Sequence, residues 1–113
     1  MANNGMGAPV VIVNADGTPV STTTALLPAG TDRSGTAAVT SGPLAPANAT
    51  RRGLNIQNIG ANNIGVNETG GTAAIGTAGT YTLVPNATMS VRTNRAVTVI
   101  AVTAPTAYSA TEF

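Results

Sequence analysis

The amino-acid sequence predicts an all-β protein, a small antiparallel β-sandwich or barrel preceded by an extended N-terminal arm or hairpin. Short runs that alternate apolar with polar residues recur along the chain, and Gly, Pro and Asn separate them as turns would. No segment sustains the 3.6-residue apolar period of an amphipathic helix. The 113 residues fit one folded domain, with the arm at residues 1–32 and the β-domain at residues 33–113.

The arm begins with a polar, glycine-containing segment, residues 1–7, which we expect to be ordered only by a partner. Asp16-Gly17 predicts a tight turn, because glycine takes a positive φ without steric cost, and Val20 begins a second short strand. The strand before that turn is a β-branched run made of Val10, Val11, Ile12 and Val13. The arm is therefore predicted to contain a short hairpin.

The β-domain is predicted to open with a strand at residues 36–40. Residues 43–49 are rich in Pro, Ala and Asn and predict a connector, because each proline restricts its own backbone and that of the residue before it. In residues 54–58 apolar side chains alternate with amides, and the alternation repeats in residues 63–67 after a Gly-Ala-Asn turn. This pattern predicts a hairpin whose buried face consists of Leu54, Ile56, Ile64 and Val66.

The rest of the chain predicts further strands and turns. Pro85-Asn86 indicates the turn of a second hairpin, after which Met89 and Val91 share one face of a strand. Residues 97–103 are apolar or threonine throughout, which is typical of a central strand covered on both faces. A final edge strand is predicted at residues 107–111.

The composition argues against an enzyme. The chain has no His, Cys or Lys, which removes the usual groups for proton relay near neutral pH, thiolate chemistry and iminium formation. The four carboxylates, Asp16, Asp32, Glu68 and Glu112, lie far apart in the sequence, and we interpret Asp32 as a cap or a local ion pair with Arg33. We therefore predict no catalytic residue, no cofactor and no metal site.

Charge and core size indicate assembly. The formal net charge is +1 and only 8% of residues are charged, so the sequence predicts no binding to nucleic acid or to a membrane. It predicts no secretory signal peptide, since the first basic residue is Arg33. One Phe, two Tyr and no Trp give a thin core, which favours stabilisation by burial against other subunits.

Arg51-Arg52 is the one local cluster of charge, and Arg92 and Arg95 would join it if their hairpin lies alongside. Adjacent arginines suit a polyanion site, because the planar guanidinium matches phosphate and carboxylate groups. The absence of a wider basic surface favours the other interpretation. In that interpretation the two arginines either prevent an edge strand from pairing with another chain or form a contact between subunits.

A resemblance adds to this interpretation. The segment Asn48-Ala49-Thr50-Arg51-Arg52-Gly53-Leu54-Asn55-Ile56-Gln57-Asn58, the turn Gly70-Gly71-Thr72-Ala73 and the strand Val97-Thr98-Val99-Ile100-Ala101 resemble small β-domains of tailed-bacteriophage structural proteins. The similarity covers about the last two thirds of the chain. It implies a virion component.

Among virion roles, the resemblance and the composition together favour a capsid decoration or cement protein. Such a protein would dock on the outer surface of the shell formed by the major capsid protein, after assembly in the host bacterial cytoplasm. Residues 10–13 would complete a neighbouring sheet or clasp the shell, and Arg51 and Arg52 would lie in a partner interface. A closed homo-oligomer is expected, of which a trimer on a local threefold axis is one form.

Two alternatives stay open at this point. The first keeps the virion but places the protein in the neck, the tail or a fibre as an adaptor. The second is a carbohydrate-binding module that uses Asn, Thr and either Tyr81 or Tyr108 on a sheet face, although such sites usually need more aromatic residues than this chain has.

Overall fold

A computed structural model describes residues 30–113, which form an all-β fold without a helix. The predicted fold class is confirmed to that extent, as two antiparallel sheets. The strands are β1 Thr31–Asp32, β2 Gly35–Ala37, β3 Gly42–Ala45, β4 Leu54–Asn58, β5 Ile64–Asn67, β6 Thr80–Leu83, β7 Thr88–Val91, β8 Val97–Ala101 and β9 Thr106–Glu112. The run from Val10 to Val13 and the Asp16-Gly17 hairpin of the arm lie outside the described residues.

The first sheet has the order β1-β9-β4-β7, and β2 pairs with the same edge of β9 as β1. Thr31 is opposite Glu112 and Ala37 is opposite Thr106, so β1 and β2 act as one strand interrupted at Arg33 and Ser34. Within this interruption the Arg33 N–H donates to the Ala110 carbonyl at 2.8 Å. Two residues that the sequence assigned to the arm, Thr31 and Asp32, therefore pair with the main sheet.

The second sheet has the order β3-β8-β5-β6, again antiparallel. Apart from the β5–β6 connection, every connection from β2 onward passes from one sheet to the other. With β1 and β2 counted as one interrupted strand, two four-stranded sheets connected in this way have the topology of a jelly roll.

A single hydrophobic core lies between the sheets. Burial alternates along β8 and β9, so each buries one face against the core, while the other face is half-buried in β8 and largely exposed in β9; all four residues of β5 are buried. The core draws on both sheets and includes Leu54, Ile56, Val91, Tyr108 and Ala110 from the first and Ile64, Val66, Leu83, Val97 and Val99 from the second. Burial inside this core raises the pKa of Tyr108.

The predicted hairpin between residues 54–58 and 63–67 is wrong. Leu54, Ile56, Ile64 and Val66 are all buried as predicted, but β4 pairs with β7 and β9 while β5 pairs with β6 and β8. The two strands belong to different sheets, on either side of the core, instead of lying side by side. Alternation identifies the buried face of a strand, but it does not identify the sheet to which the strand belongs.

The predicted hairpin around Pro85-Asn86 is wrong for the same reason. The turn itself forms, because Pro85 fixes its own φ, Asn86 adopts a φ of 70° and the Ala87 N–H donates to the Val84 carbonyl at 2.9 Å. It connects β6 of the second sheet to β7 of the first, however, so the flanking strands do not pair.

Two further assignments change in the structure. The predicted connector at residues 43–49 contains strand β3, in which Pro43 is tolerated because β3 is an edge strand with a register shift between Pro43 and Ala45. The predicted edge strand at residues 107–111 is β9, which lies inside the first sheet between β4 and the β1–β2 edge. The central strand predicted at residues 97–103 is β8, between β3 and β5, and it ends at Ala101.

Candidate interaction surfaces

The end of the molecule that we call the charged end comprises residues 31–33, the connections 46–53, 68–79 and 92–96, and residues 112–113. Of the nine charged residues in the sequence, only Asp16 lies outside the described residues. All the others belong to this end, namely Asp32, Arg33, Arg51, Arg52, Glu68, Arg92, Arg95 and Glu112.

A buried ion cluster holds the charged end together. Arg51 Nε donates to Glu112 Oε2 at 2.7 Å, and Arg33 donates to Glu112 Oε1 from Nη2 at 2.9 Å and from Nε at 3.1 Å. The side chain of Arg51 is 0% exposed and that of Glu112 is 3% exposed. Both oxygens of one carboxylate are thus shared between two guanidinium groups.

Arg51 also binds three backbone carbonyls. Its Nη1 donates to Thr93 at 2.9 Å and to Arg95 at 2.8 Å, and its Nη2 donates to Pro46 at 2.7 Å. These bonds join the connection before β4 to the one before β8. Because a guanidinium carries five N–H donors and no acceptor, backbone carbonyls around it are suitable partners.

This arrangement holds Glu112 as a carboxylate. Burial by itself would raise the pKa of the Glu112 carboxyl, but the hydrogen bonds and charges of Arg51 and Arg33 outweigh it, so the pKa lies below its ordinary value. A carboxylate with both oxygens occupied and a lowered pKa is unsuited to general acid catalysis near neutral pH. The cluster therefore acts as a structural clamp.

The opposite end, which we call the neutral end, consists of the connections 38–41, 59–63, 84–87 and 102–105. None of these four segments contains a charged residue. Each one exposes a large aliphatic side chain, and the exposed fractions are 49% for Val39, 54% for Ile59, 53% for Val84 and 42% for Val102. An uncharged surface with several exposed aliphatic side chains is typical of a protein contact.

Backbone bonds fix the neutral end. Ala101 N–H donates to the Ala38 carbonyl at 2.7 Å, and Val102 N–H donates to the Asn63 carbonyl at 3.1 Å. The fully buried amide of Asn58 organises the neighbouring loop, because its Nδ2 donates to the carbonyls of Asn62 and Leu83 and its Oδ1 accepts from Gly60 N–H. The exposed aliphatic residues are thus carried on restrained turns.

A groove of about 370 Å³ lies between strands β6 and β7, where one edge of each sheet meets the other. Neither of these edges is paired with another strand of residues 30–113. The apolar residues of the groove are Tyr81, Leu83, Ala87 and Met89, and Tyr81 is 58% exposed. Leu83 belongs to the core, so the floor of this open groove touches the core.

The outer face of the first sheet is polar. A shallow groove of about 400 Å³ crosses it, lined by the side chains of Asn55, Gln57, Thr88, Ser90, Ser109 and Thr111. A second groove of about 380 Å³ continues toward the charged end, where Arg52, Arg92 and Phe113 border it. This face offers amide, hydroxyl and guanidinium groups, and no aromatic platform apart from Phe113.

The structure separates the two adjacent arginines of the predicted interface. Arg51 is enclosed by contacts within the chain, whereas Arg52 is exposed beside Phe113. The other predicted interface residues, Val10 to Val13, lie outside the described residues. For Asp32 the sequence left two interpretations open, a local ion pair with Arg33 or a cap. Arg33 pairs with Glu112 instead, and Asp32 accepts from the backbone N–H of Ser34 at 2.9 Å, as a capping side chain does.

Sequence reasoning missed the aliphatic residues of the neutral end. Val39, Ile59, Val84 and Val102 stand singly in four separate turns, so no sequence window places them together. Only the topology of the two sheets brings these turns to one end.

Within the part of the chain that the structure describes, no cluster of three or more His, Cys, Asp or Glu side chains could hold a metal ion. Residues 30–113 likewise contain no helix long and apolar enough to cross a bilayer. Comparison of this chain with protein-family models, curated proteins and solved structures gave no match.

Proposed function

We propose that this chain is a non-enzymatic structural protein of a tailed-bacteriophage virion that decorates the outer surface of the capsid. In this proposal it docks on the shell formed by the major capsid protein and bridges neighbouring subunits. The observation that supports it best is the separation of charge along the β-domain, with every described charged side chain at one end and four of the five exposed large aliphatic side chains of the described residues at the other, Ile75 being the exception. The resemblance to small phage β-domains supports the same role.

The neutral end is the surface that faces the shell in this proposal. Docking there buries no charge of residues 30–113, so it avoids the desolvation penalty of an unpaired ion. The charged end then faces solvent, where arginine and carboxylate groups keep particles hydrated and separate. Each copy adds contacts that exist only in the assembled shell, and the shell is stabilised by linkage.

The neutral end supplies a modest binding energy. Val39, Ile59, Val84 and Val102 are each about half exposed, so burying the remainder yields roughly 1 kcal/mol per side chain. The sum is of the same order as the lower estimates of the entropic cost of association, about 4 kcal/mol. A stable coat therefore requires additional contacts, either to the shell or between copies.

Counting copies in purified virions tests the proposed location. Quantitative mass spectrometry of particles from the phage that encodes the chain should give a number of copies comparable to that of the major capsid protein. A count of a few copies per particle would place the protein in the neck, the tail or a fibre instead. Absence from the particle would refute a virion role altogether.

Charge placement tests the docking surface. Ile59→Asp and Val102→Asp each put a carboxylate on the neutral end, and we expect at least tenfold weaker sedimentation with undecorated shells, because that carboxylate loses water without gaining a partner. Asn94→Asp is the matched control, since it adds the same charge to an exposed position at the charged end. Equal weakening by all three variants would exclude the neutral end as the docking surface.

The polar outer face of the first sheet supports a second candidate function, the binding of carbohydrate. Asn, Gln, Ser and Thr side chains can exchange hydrogen bonds with sugar hydroxyls, and Arg52 and Arg92 favour acidic sugars. Tyr108, one of the two aromatic residues suggested for such a site, is buried in the core. A glycan array should show saturable binding to acidic sugars that is weakened in Arg92→Ala if this function is present.

A further inference from the structure

The edges of the two sheets are protected unequally. The β1–β2 edge carries Asp32 and Arg33 and is interrupted in the middle, and the β3 edge contains Pro43 and a register shift. Charge, proline and irregular pairing are the devices by which proteins prevent an edge strand from binding another chain. Both edges on that side of the molecule are therefore protected.

Strands β6 and β7 have none of these devices. Their sequences, Thr80-Tyr81-Thr82-Leu83 and Thr88-Met89-Ser90-Val91, contain no charge and no proline, and their pairing with β5 and β4 is regular. The groove of about 370 Å³ lies between them, lined mainly by apolar side chains, with Glu68 of the charged end as its one charged lining residue. Two unprotected edges beside one apolar groove fit an added β-strand better than a folded surface.

Residues 10–13 have side chains whose apolar character matches the lining of this groove. Val10, Val11, Ile12 and Val13 are all β-branched and apolar, so a strand made of them has no polar face to turn to solvent. An ordinary edge strand of a sheet with one solvated face would leave half of these side chains exposed. A position between two sheets buries both faces.

The point at which the N-terminal segment joins the domain indicates which copy supplies the strand. Thr31 is opposite Glu112 in antiparallel register, so residue 30 lies at the charged end, on the edge of the first sheet opposite to β7. The groove of the same copy therefore lies across the width of the sheet from residue 30, whereas exchange between copies lets the segment reach a groove without crossing its own sheet.

We propose that the segment from Pro9 to Val13 of one copy inserts as a β-strand into the groove between β6 and β7 of a second copy. Each copy has one segment and one groove, so reciprocal exchange gives a symmetric dimer, and head-to-tail exchange gives a ring when its rotation closes. This inference concerns association between copies and does not depend on the proposed role in the virion. It supplies a contact that the neutral end alone does not provide.

Crosslinking of the full-length protein tests the insertion directly, because the native sequence contains no cysteine. Pro9→Cys and Thr88→Cys place one thiol beside the apolar run and one at the groove. A short bismaleimide added to a mixture of the two single variants should give a dimer whose linked peptides contain positions 9 and 88. Pro9→Cys mixed with Thr36→Cys, on the opposite edge, is the matched control and should not give such a product.

The protein that carries both Pro9→Cys and Thr88→Cys distinguishes the source of the strand. Links between chains are expected, and their yield should fall when unlabelled wild-type protein is added in excess. A link within one chain would overturn the exchange between copies. Absence of any link between positions 9 and 88 in both experiments would overturn the groove as the acceptor.

The oligomeric state gives an independent readout. Full-length protein should be oligomeric by light scattering at micromolar concentration, and Tyr81→Lys and Val11→Asp should each raise the dissociation constant at least tenfold. Tyr81 is exposed, so its variant should keep the circular dichroism spectrum of the folded domain. Thr36→Lys is the control on the protected edge. A monomeric wild-type protein, or association that neither variant weakens, would refute the proposal.

Discussion

Arg51 Nε lies 2.7 Å from Glu112 Oε2 in a pair that is almost completely removed from solvent. Three of the four remaining N–H groups of the guanidinium bind backbone carbonyls, and the other oxygen of the carboxylate binds Arg33. Removing one member of such a pair leaves the other charge buried without compensation. The charged end should therefore depend on this pair more than on any exposed charge.

We expect Arg51→Met to destabilise the protein by about 3–5 kcal/mol, the range observed when one partner of a buried ion pair is removed. Urea unfolding of the full-length protein measures the loss. Arg52→Met is the matched control, because Arg52 is exposed and surface substitutions usually change stability by less than about 0.5 kcal/mol. Similar losses in both variants would contradict a clamp centred on Arg51.

Stability should fall in acid because of Glu112. Its pKa is lowered in the folded protein from an ordinary value of 4.5, so the unfolded chain binds the proton more tightly and protonation favours unfolding. The contribution is complete above about pH 4.5 and is lost as the pH falls through the folded-state pKa. Unfolding midpoints measured between pH 7 and pH 3 should show this decline, and Glu112→Gln should reduce its slope.

Asp32 provides the comparison for that experiment. Hydrogen bonds from the Ser34 side chain and backbone lower the pKa of Asp32, so its contribution has the same sign as that of Glu112. Asp32 is exposed, however, and we expect Asp32→Asn to leave most of the decline in place. A larger effect from Asp32→Asn than from Glu112→Gln would contradict this assignment.

Asn58 should be the most important amide for the neutral end. Asn58→Ala removes three hydrogen bonds within the loop at residues 59–63 and its neighbour β6, and we expect a loss of about 2–4 kcal/mol. Hydrogen exchange should increase at the amide of Gly60. Asn94→Ala, at an exposed turn of the charged end, should cost far less; comparable losses would indicate that the buried amide is dispensable.

Gly65 should not tolerate a side chain, because the loop at residues 68–79 folds over it. A Cβ at this position would lie 2.6 Å from Ile75 Cδ1, 2.8 Å from Thr80 Cγ2 and 3.1 Å from Ile100 Cγ2. We expect Gly65→Ala to cost about 1–3 kcal/mol in thermal or urea unfolding, as overpacking does, although alanine usually suits a strand better than glycine.

The control for that substitution is Gly42→Ala, whose Cβ meets no atom within 4 Å. It should be neutral or slightly stabilising. Combining Gly65→Ala with Ile75→Val removes the closest contact and should recover part of the loss. If Gly42→Ala and Gly65→Ala cost the same, the close packing of the loop over Gly65 is not the cause.

The sequence predicted the buried faces of the strands but not their partners. Leu54 and Ile56 alternate with amides as a strand with one buried face must, and the structure confirms that burial. Which sheet takes each strand depends on long-range pairing. β9 pairs with β1, β2 and β4, which come from distant parts of the sequence, and no local pattern carries that information.

The same limit applies to the candidate site. Arg51 and Arg52 are neighbours in the sequence, yet the partner that separates their roles, Glu112, is far along the chain. The absence of charge in the turns of the neutral end is visible in the sequence. That these turns form one uncharged surface follows only from the sheet topology, which places them at the same end of the molecule. The unprotected edges of β6 and β7 become recognisable only after the pairing of every described strand is known.

The position of β9 inside the first sheet also has a kinetic consequence. Arg33 and Glu112 are 79 positions apart in the chain, and the strands next to them must meet across that distance before the sheet can close. Contacts between distant residues slow folding, because the entropy of closing a long loop is lost before the contact is gained. The rate of refolding should therefore be limited by the arrival of this strand, and until then β4 exposes an open edge to every other chain in solution.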